Sequence, residues 1–313
     1  MSNFLDYICD ITNKYRNMKK TILLLVSLAL AATVCSQQVI SVRKIDKGDI
    51  KQEKLDVATI RCYYKFTQPV TADKETYQQT DTMTLDIGRK VSRYYDAARM
   101  RRDSLFTDFM RNKLNPSTIQ SISVMKDGDM STLDNKGGTT FDSTTKGETA
   151  QLFKERRTGE IITIDRADNA PQKYKCTETI PAQQWNISAD TLTVLGYTCQ
   201  KATTEFRGRS YEVWFSPDIP VNDGPWKFYG LPGLIMKVSD SENLFLFEII
   251  GLENLNNPVE ITMAQEDYAK ASIKDLEKLK KKQSGGTAVN VNGGNVIMIQ
   301  KKNNKEYLSL EIN

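Results

Sequence analysis

DTLTVLGYTCQKATTEFRGRSYEVWFSPDIP, residues 190–220, reads as three short strands broken at Leu195-Gly196 and Arg207-Gly208. Glycine pairs of this kind punctuate strands because they turn the chain at little steric cost. In the last of the three, Tyr211, Val213 and Phe215 alternate with Glu212 and Trp214, the period of a half-buried strand. Upstream, DVATIRCYYKFTQ (56–68) alternates in the same way. Ala58, Ile60, Cys62, Tyr64 and Phe66 are expected on one face, with Thr59, Arg61, Tyr63 and Lys65 on the other. TMTLDIG (82–88), EIITID (160–165), LIMKVSD (234–240) and LFLFEIIGLENL (244–255) add further strands, the last two around a turn at Ser239 to Asn243. The chain is therefore expected to be mainly β, an α+β domain built on a single antiparallel sheet.

Two segments switch to helical spacing. From Val91 to Leu114 the apolar positions are Val91, Tyr95, Ala98, Leu105 and Phe109. Ser92 is the expected cap, Arg99, Arg101, Arg102 and Asp103 fall mostly on the solvated side, and Asn115-Pro116 stops the helix. Residues 264–282 form the second, with Ala269, Ile273, Leu276 and Leu279 on one face and Lys280 to Lys282 at its C-terminal end, where the helix dipole favours cations. Residues 126–149 read as loops with one weak strand, and SGGTAVNVNGGN (284–295) as a flexible loop. VIMIQKKNNKEYLSLEIN closes with two strands in a hairpin around Asn303-Asn304.

The first forty residues speak of export. MKKTILLLVSLALAATVCSQQ (18–38) has two lysines, a short apolar run and small residues before Gln37, the three parts of a secretory signal over 18–36. Residues 1–17 do not belong to such a signal and read as a start-site extension, which leaves 37–313 as one β-rich domain. Cys35 raises a lipoprotein alternative, against which Val34 is large for the position before an acylated cysteine. Removing the leader removes four bases and two acids and lowers the net charge from +4 to +2, no footprint for nucleic acid. No later apolar run reaches membrane-spanning length. The expected location is the periplasm or the cell surface, associated with the outer membrane.

The sequence contains no histidine, which removes Ser-His-Asp and Cys-His catalysis and the usual imidazole metal ligands. No nucleophile elbow, Walker loop or zinc signature is present, and no cofactor or metal is expected. Asp218, Asp223, Glu212 and Glu248 are the acids nearest the strand-rich centre, each read first as a solvated or turn-stabilising group. Of Cys62, Cys176 and Cys199, the last two flank one strand-turn-strand region and are the better disulfide pair.

FYGLPGLIMKVSD (228–240) packs two glycines and a proline into Gly230 to Gly233. Leu231-Pro232-Gly233 suits a type II turn with positive φ at Gly233, a rigid corner seating Leu231 and Leu234 in the core. Gly230-Leu231-Pro232-Gly233-Leu234-Ile235, the upstream Gly196-Tyr197-Thr198-Cys199-Gln200-Lys201-Ala202, the strand Tyr211 to Phe215, and Gly224-Pro225 together resemble the GLPGLI family of secreted Bacteroidota proteins, over roughly residues 55–280. The resemblance implies an exported protein and supplies no catalytic residues. The strand order is also similar to that of lipoprotein-carrier and sigma-regulator sensor proteins of the bacterial envelope. That likeness implies a curved, open half-barrel whose concave side is covered by both helices.

The function expected from these features is a non-catalytic cell-envelope protein that binds a lipid or other hydrophobic ligand, or an outer-membrane partner. The alternatives are an accessory docking subunit, joined through an exposed edge strand or the 283–295 loop, and a carboxylate-dependent hydrolase. The candidate binding residues are Trp214, Pro225, Trp226, Tyr229 and the motif Gly230, Leu231, Pro232, Gly233, Leu234 and Ile235. For Trp214 core packing is the simpler reading; Trp226, between Pro225 and Lys227, sits in a loop.

Overall fold

A computed structural model describes residues 51–72, 74–113, 118–126, 137–144, 147–166, 172–280, 286–300 and 305–312. The expected leader, Cys35 and Asn303-Asn304 lie outside them. The elements run β1 (Gln52–Ala72), β2 (Glu75–Gly88), β3 (Val91–Tyr95), α1 (Ala97–Lys113), β4 (Ser121–Lys126), β5 (Thr139–Thr144), β6 (Gln151–Glu155), β7 (Glu160–Arg166), β8 (Lys173–Thr179) and β9 (Asn186–Val194). They continue with β10 (Tyr197–Phe206), β11 (Arg209–Ser216), β12 (Leu234–Asp240), β13 (Leu246–Ala264), β14 (Ala269–Lys270), α2 (Ile273–Lys280), β15 (Gly286–Asn292), β16 (Asn295–Gln300) and β17 (Lys305–Tyr307).

The protein is mainly β, as expected, but it holds two sheets instead of one. Thirteen strands form an unclosed sheet in the order β14-β8-β7-β6-β3-β2-β1-β13-β12-β11-β10-β9, with β17 added to β1. Its pairings are antiparallel except the short β14–β8 contact. A second sheet of four runs β4-β16-β15-β5. The segment expected to be a flexible loop at 284–295 supplies β15, whose Ala288 and Val289 are fully buried. The expected terminal hairpin is absent, because β16 joins the small sheet and β17 the large one. Sequence neighbours need not be sheet neighbours when each strand has a better apolar face to pair with elsewhere.

The two glycine breaks in 190–220 are two-residue hairpin loops. Both residues of each pair have positive φ: 49° and 81° at Leu195-Gly196, 50° and 78° at Arg207-Gly208. That conformation carries the right-handed strand twist across a tight turn. On β1 the predicted apolar row splits. A register shift between Ala58 and Ile60 turns Ala58 to a small outer cluster with Phe153, Ile164, Ile261 and Met263. Cys62, Tyr64 and Phe66 face the main core. A β-bulge inverts the facing of everything beyond it.

The main core draws Leu152 and Ile161 from one wing of the large sheet and Phe215, Leu234 and Val238 from the other. The helices differ from expectation. Val91 and Tyr95 belong to β3, and α1 begins only at Ala97. Its cap is Asp96, not Ser92: Asp96 Oδ1 accepts the Arg99 amide at 2.8 Å. Arg99 is buried and bonded to Asp103, against its expected solvation. Phe106 and Phe109 of α1 pack on the small sheet around Val289, Val296 and Met298. The first turns of α1 also meet the large sheet, where Asp103 pairs with Arg166 of β7 and Met100 Sδ accepts from Arg93 of β3, while α2 spans 273–280 instead of 264–282, since Ala269 lies in β14. Ser272 Oγ caps it by accepting the Asp275 amide at 3.1 Å.

A closed corner and an open cavity

The inner face of the large sheet carries two constructions. The first is the corner between β11 and β12. Leu231, Leu234 and Ile235 are buried in the core, as the motif implies, while Pro232 is exposed. The expected turn is not formed: Gly233 lacks positive φ, and Gly230 has it, at 105°. Gly233 is required for another reason. A Cβ there would lie 2.6 Å from the Ser216 carbonyl carbon, so the turn presses its backbone against the end of β11.

Polar groups brace this corner on both sides. Asp223 is fully buried between Lys154 of β6 at 2.7 Å and Arg156 at 2.8 Å. Lys154 Nζ also donates to the Gly224 carbonyl at 2.5 Å. Burial opposes charge on Asp223, but the two cations beside it outweigh that and hold its carboxyl below the usual carboxylate range. From the β8–β9 connection, Gln183 bonds the Lys227 carbonyl and the Tyr229 amide, and Trp185 Nε1 bonds the Tyr229 carbonyl at 3.1 Å. Tyr64 Oη donates to the Ile235 carbonyl at 2.6 Å.

The second construction is a cavity of about 560 Å³, within the range of small-molecule sites. Its floor includes Phe66, Met83, Leu152 and Phe247 of the large sheet, and its cover is Ile273 and Leu276 of α2 with the segment from Glu306 to Glu311. That segment is a strap. It starts paired to β1 at Val70–Tyr307, and its Ser309 and Leu310 carbonyls accept from Arg209 at 3.0 Å and Tyr211 at 3.2 Å. The Ile312 amide then reaches the Arg207 carbonyl at 2.9 Å. Lys280 of α2 is tied to Asp165 of β7 at 2.8 Å. Glu277 accepts from Ser309 Oγ at 2.8 Å, which links helix to strap.

Glu148 and Asp165 line this space, and sequence reasoning singled out neither. Asp165 is held by Lys280 and by Thr149 Oγ1 at 2.5 Å. Glu148 accepts only from Gln68 Nε2, at 3.1 Å, among the described residues. Removal from bulk water pushes its carboxyl above the usual glutamate value. No local motif marks Glu148, because it follows Gly147 in a polar stretch that resembles a loop.

Of the ten candidate binding residues, Trp226 alone lines the cavity. It sits at φ 49° and continues an aromatic chain, 5.3 Å from Phe228, which lies 6.3 Å from Phe247, itself stacked on Phe66 at 4.4 Å. Pro225, Tyr229, Gly230, Leu231, Pro232, Gly233, Leu234 and Ile235 build the corner instead. Trp214 lies on the outer side of β11, half-buried, its N–H on Glu212 at 3.0 Å and Lys201 over its ring. The four acids named from sequence do not converge: Asp223 is sealed in the corner, Glu212 pairs with Lys201, Asp218 is exposed, and Glu248 faces Lys65 and Lys237 in the sheet register.

The Cys176–Cys199 disulfide is not formed; Cys62, Cys176 and Cys199 are free and buried. Cys176 is on β8 and Cys199 on β10, near opposite edges of the sheet order. Burial pushes both thiols up to about 11, which leaves them poor nucleophiles. Among the described residues, no cluster of three or more thiol or carboxylate side chains could hold a metal ion. No helix among them is long and apolar enough to cross a membrane.

Residues 148–282, less than half of the chain, match a family model described as "N-glycanase peptide, N-terminal domain". No curated protein matches the chain. Among solved structures, PNGF-II in its P21 crystal form matches at 14% identity and a TM-score of 0.40, over 71% of this chain and 33% of that one. Its C2 form matches at 13% identity with the same coverage and TM-score. The chain spans about a third of the length of these solved proteins.

Proposed function

We propose that this chain is an exported, non-catalytic binding protein of the cell envelope, of the GLPGLI type, whose cavity takes a hydrophobic or amphipathic ligand. The single observation that carries this reading is the cavity of about 560 Å³ between the large sheet and its cover of α2 and strap. A fold built only for stability fills such a space with side chains, because empty volume costs packing energy. Here the floor is aromatic and aliphatic, and the cover is held along its rim: α2 by Lys280–Asp165, the strap by its pairing to β1, by Arg209 and Tyr211 on its carbonyls and by Lys227 on Glu311. In this reading the sheet acts as an open half-barrel with α2 as its lid.

The test is native mass spectrometry of residues 37–313, exported to a periplasm and purified gently. The expected result is an added mass that extracts into organic solvent. A clean ligand-free mass would overturn the ligand reading in favour of an accessory docking subunit, to be sought by cross-linking in the native envelope. The family model that overlaps 148–282 names an N-glycanase domain, so sugar-bearing molecules belong among the ligands screened.

A second reading, a carboxylate-dependent hydrolase, draws on one observation. Glu148, with its raised pKa, shares the cavity with Asp165, and two carboxyls in unlike environments are the pattern of an acid and its partner. Turnover of any candidate substrate that vanishes in Glu148→Gln would establish it.

A further inference from the structure

The two parts of the cavity's cover are fixed to the sheet in different ways. The strap is tied at both ends. It starts on β1, where Lys305 to Tyr307 pair with Val70 to Ala72, and it finishes with the Ile312 amide on the Arg207 carbonyl at 2.9 Å. Between these points its Ser309 and Leu310 carbonyls accept from Arg209 and Tyr211, and Leu310 packs on the main core. The Glu311 side chain, 7% exposed, reaches the buried ammonium of Lys227. The strap therefore bridges β1 and the β10–β11 hairpin.

α2 is tied to the sheet backbone at one end. It follows β14, whose Ala269 and Lys270 pair with Tyr174 and Lys175 of β8, and the Ala271 amide extends that pairing to the Lys175 carbonyl at 3.4 Å. Ser272 then caps the helix. Beyond the cap the helix buries one apolar side chain, Leu276, and neither Leu276 nor Ile273 belongs to an apolar cluster of the core. Leu279 is exposed. Among the described residues, two polar links hold this half: Glu277 accepts from Ser309 Oγ on the strap, and Lys280, the last residue, reaches Asp165 of β7 at 2.8 Å. The Asp165 side chain is 3% exposed and that of Lys280 31%, so the second link joins a buried acid to a lysine at the rim. An element with few buried apolar contacts is the one that opens locally at low cost, and the ends of elements absorb the dihedral change of a hinge.

We infer that α2 is a hinged lid: it turns at Ala271–Ser272, is latched at its other end by Lys280 on Asp165, and admits ligand to the cavity while the strap stays in place as its frame. The inference rests on the ligand-binding reading above and adds which part of the cover moves and what holds it shut. Removing the lysine weakens the closed state twice over. The link is lost, and the closed lid leaves the buried Asp165 carboxylate without its ammonium.

The experiment pairs stopped-flow binding of the apolar fluorophore N-phenyl-1-naphthylamine to the full mature chain with hydrogen exchange of the ligand-free protein. In the wild type the observed rate should level off at high probe concentration, at the rate of lid opening. Lys280→Met should raise that plateau and the release rate together, about tenfold or more, and leave the dissociation constant within about threefold. Glu277→Ala, which cuts the link to the strap, should raise both rates about two- to fivefold. Tyr211→Phe, which cuts one link of the strap to the sheet, should leave both within about twofold. In exchange, Lys280→Met should loosen the amides of 276–280 about tenfold and leave those of 307–312 unchanged. Faster entry in Tyr211→Phe than in Lys280→Met would make the strap the moving part and overturn the inference. Equal loosening of both segments, or unchanged rates in Lys280→Met, would overturn it as well. A probe that fails to bind, with 276–280 alone loosened by Lys280→Met, would overturn the ligand reading and leave the hinged helix standing.

Discussion

The corner at 217–235 and the cavity under α2 lie on the same face of the same sheet, yet they are built to opposite standards. In the corner, the buried acid Asp223 meets two cations, and its neighbours' carbonyls and amides are bonded. At Gly233 there is no room for a methyl group. At the cavity, about 560 Å³ stays open, and the buried hydroxyls of Tyr94 and Thr163 in its walls have no partner among the described residues. The contrast assigns stability to the corner and binding to the cavity. Trp226 belongs to both, one reason a change at the corner would be felt at the cavity floor.

The strongest way to break this contrast is to strip the corner of a charge. Asp223→Ala leaves Lys154 buried without its counter-ion, and loss of one partner of a buried pair costs about 3–5 kcal/mol. Urea unfolding should show that loss; a variant as stable as wild type would mean that the pair is not what seals the corner. Gly233→Val should follow, at about 1–3 kcal/mol, because its Cβ displaces the Ser216 backbone. Gly233→Ala should already show part of the cost. If alanine is tolerated and only valine is not, side-chain bulk and not close backbone contact sets the limit.

On the cavity side the effects are small and of opposite sign. Burial raises the Glu148 carboxyl, so the native state holds its proton more tightly than the unfolded chain does. Its contribution to stability is then fully present below the unfolded glutamate range and is lost as pH rises through the raised value. Glu148→Gln should remove that fall and be the more stable protein at pH 7, measured by unfolding at pH 4 and pH 7. A steeper fall in the variant would reverse the assignment. Tyr94→Phe, which removes a buried hydroxyl with no partner among the described residues, should leave the protein as stable or up to about 1 kcal/mol more stable, which thermal unfolding can test. A large loss would mean that the hydroxyl is bonded in the free protein and that the contrast fails there.

How much of this was legible follows from the range of each interaction. The hairpins at Leu195-Gly196 and Arg207-Gly208, the strand Tyr211 to Phe215 and the seating of Leu231 and Leu234 are local, and period and glycine placement declare them. Helical spacing misled at Val91 and Tyr95, where pairing with β2 and β6 makes a strand of a stretch whose apolar positions also fit a helix. The polar, glycine-bounded segment at 284–295 looked like a loop because its strand character depends on β5 and β16 on either side.

By itself the sequence determined a mainly β protein, the tight corner at Gly230 to Gly233 and the removal of imidazole chemistry by the absence of histidine. Those follow from short-range sterics, side-chain periodicity and composition. Only the tertiary structure decided which strands meet: that β8 and β10 stand apart, so Cys176 and Cys199 remain thiols, and that β3, β6 and β7 align Tyr94, Leu152 and Thr163 around an unfilled space. Strand pairing between distant segments is set by the sum of many weak apolar contacts and backbone hydrogen bonds, and no short stretch of sequence contains that sum.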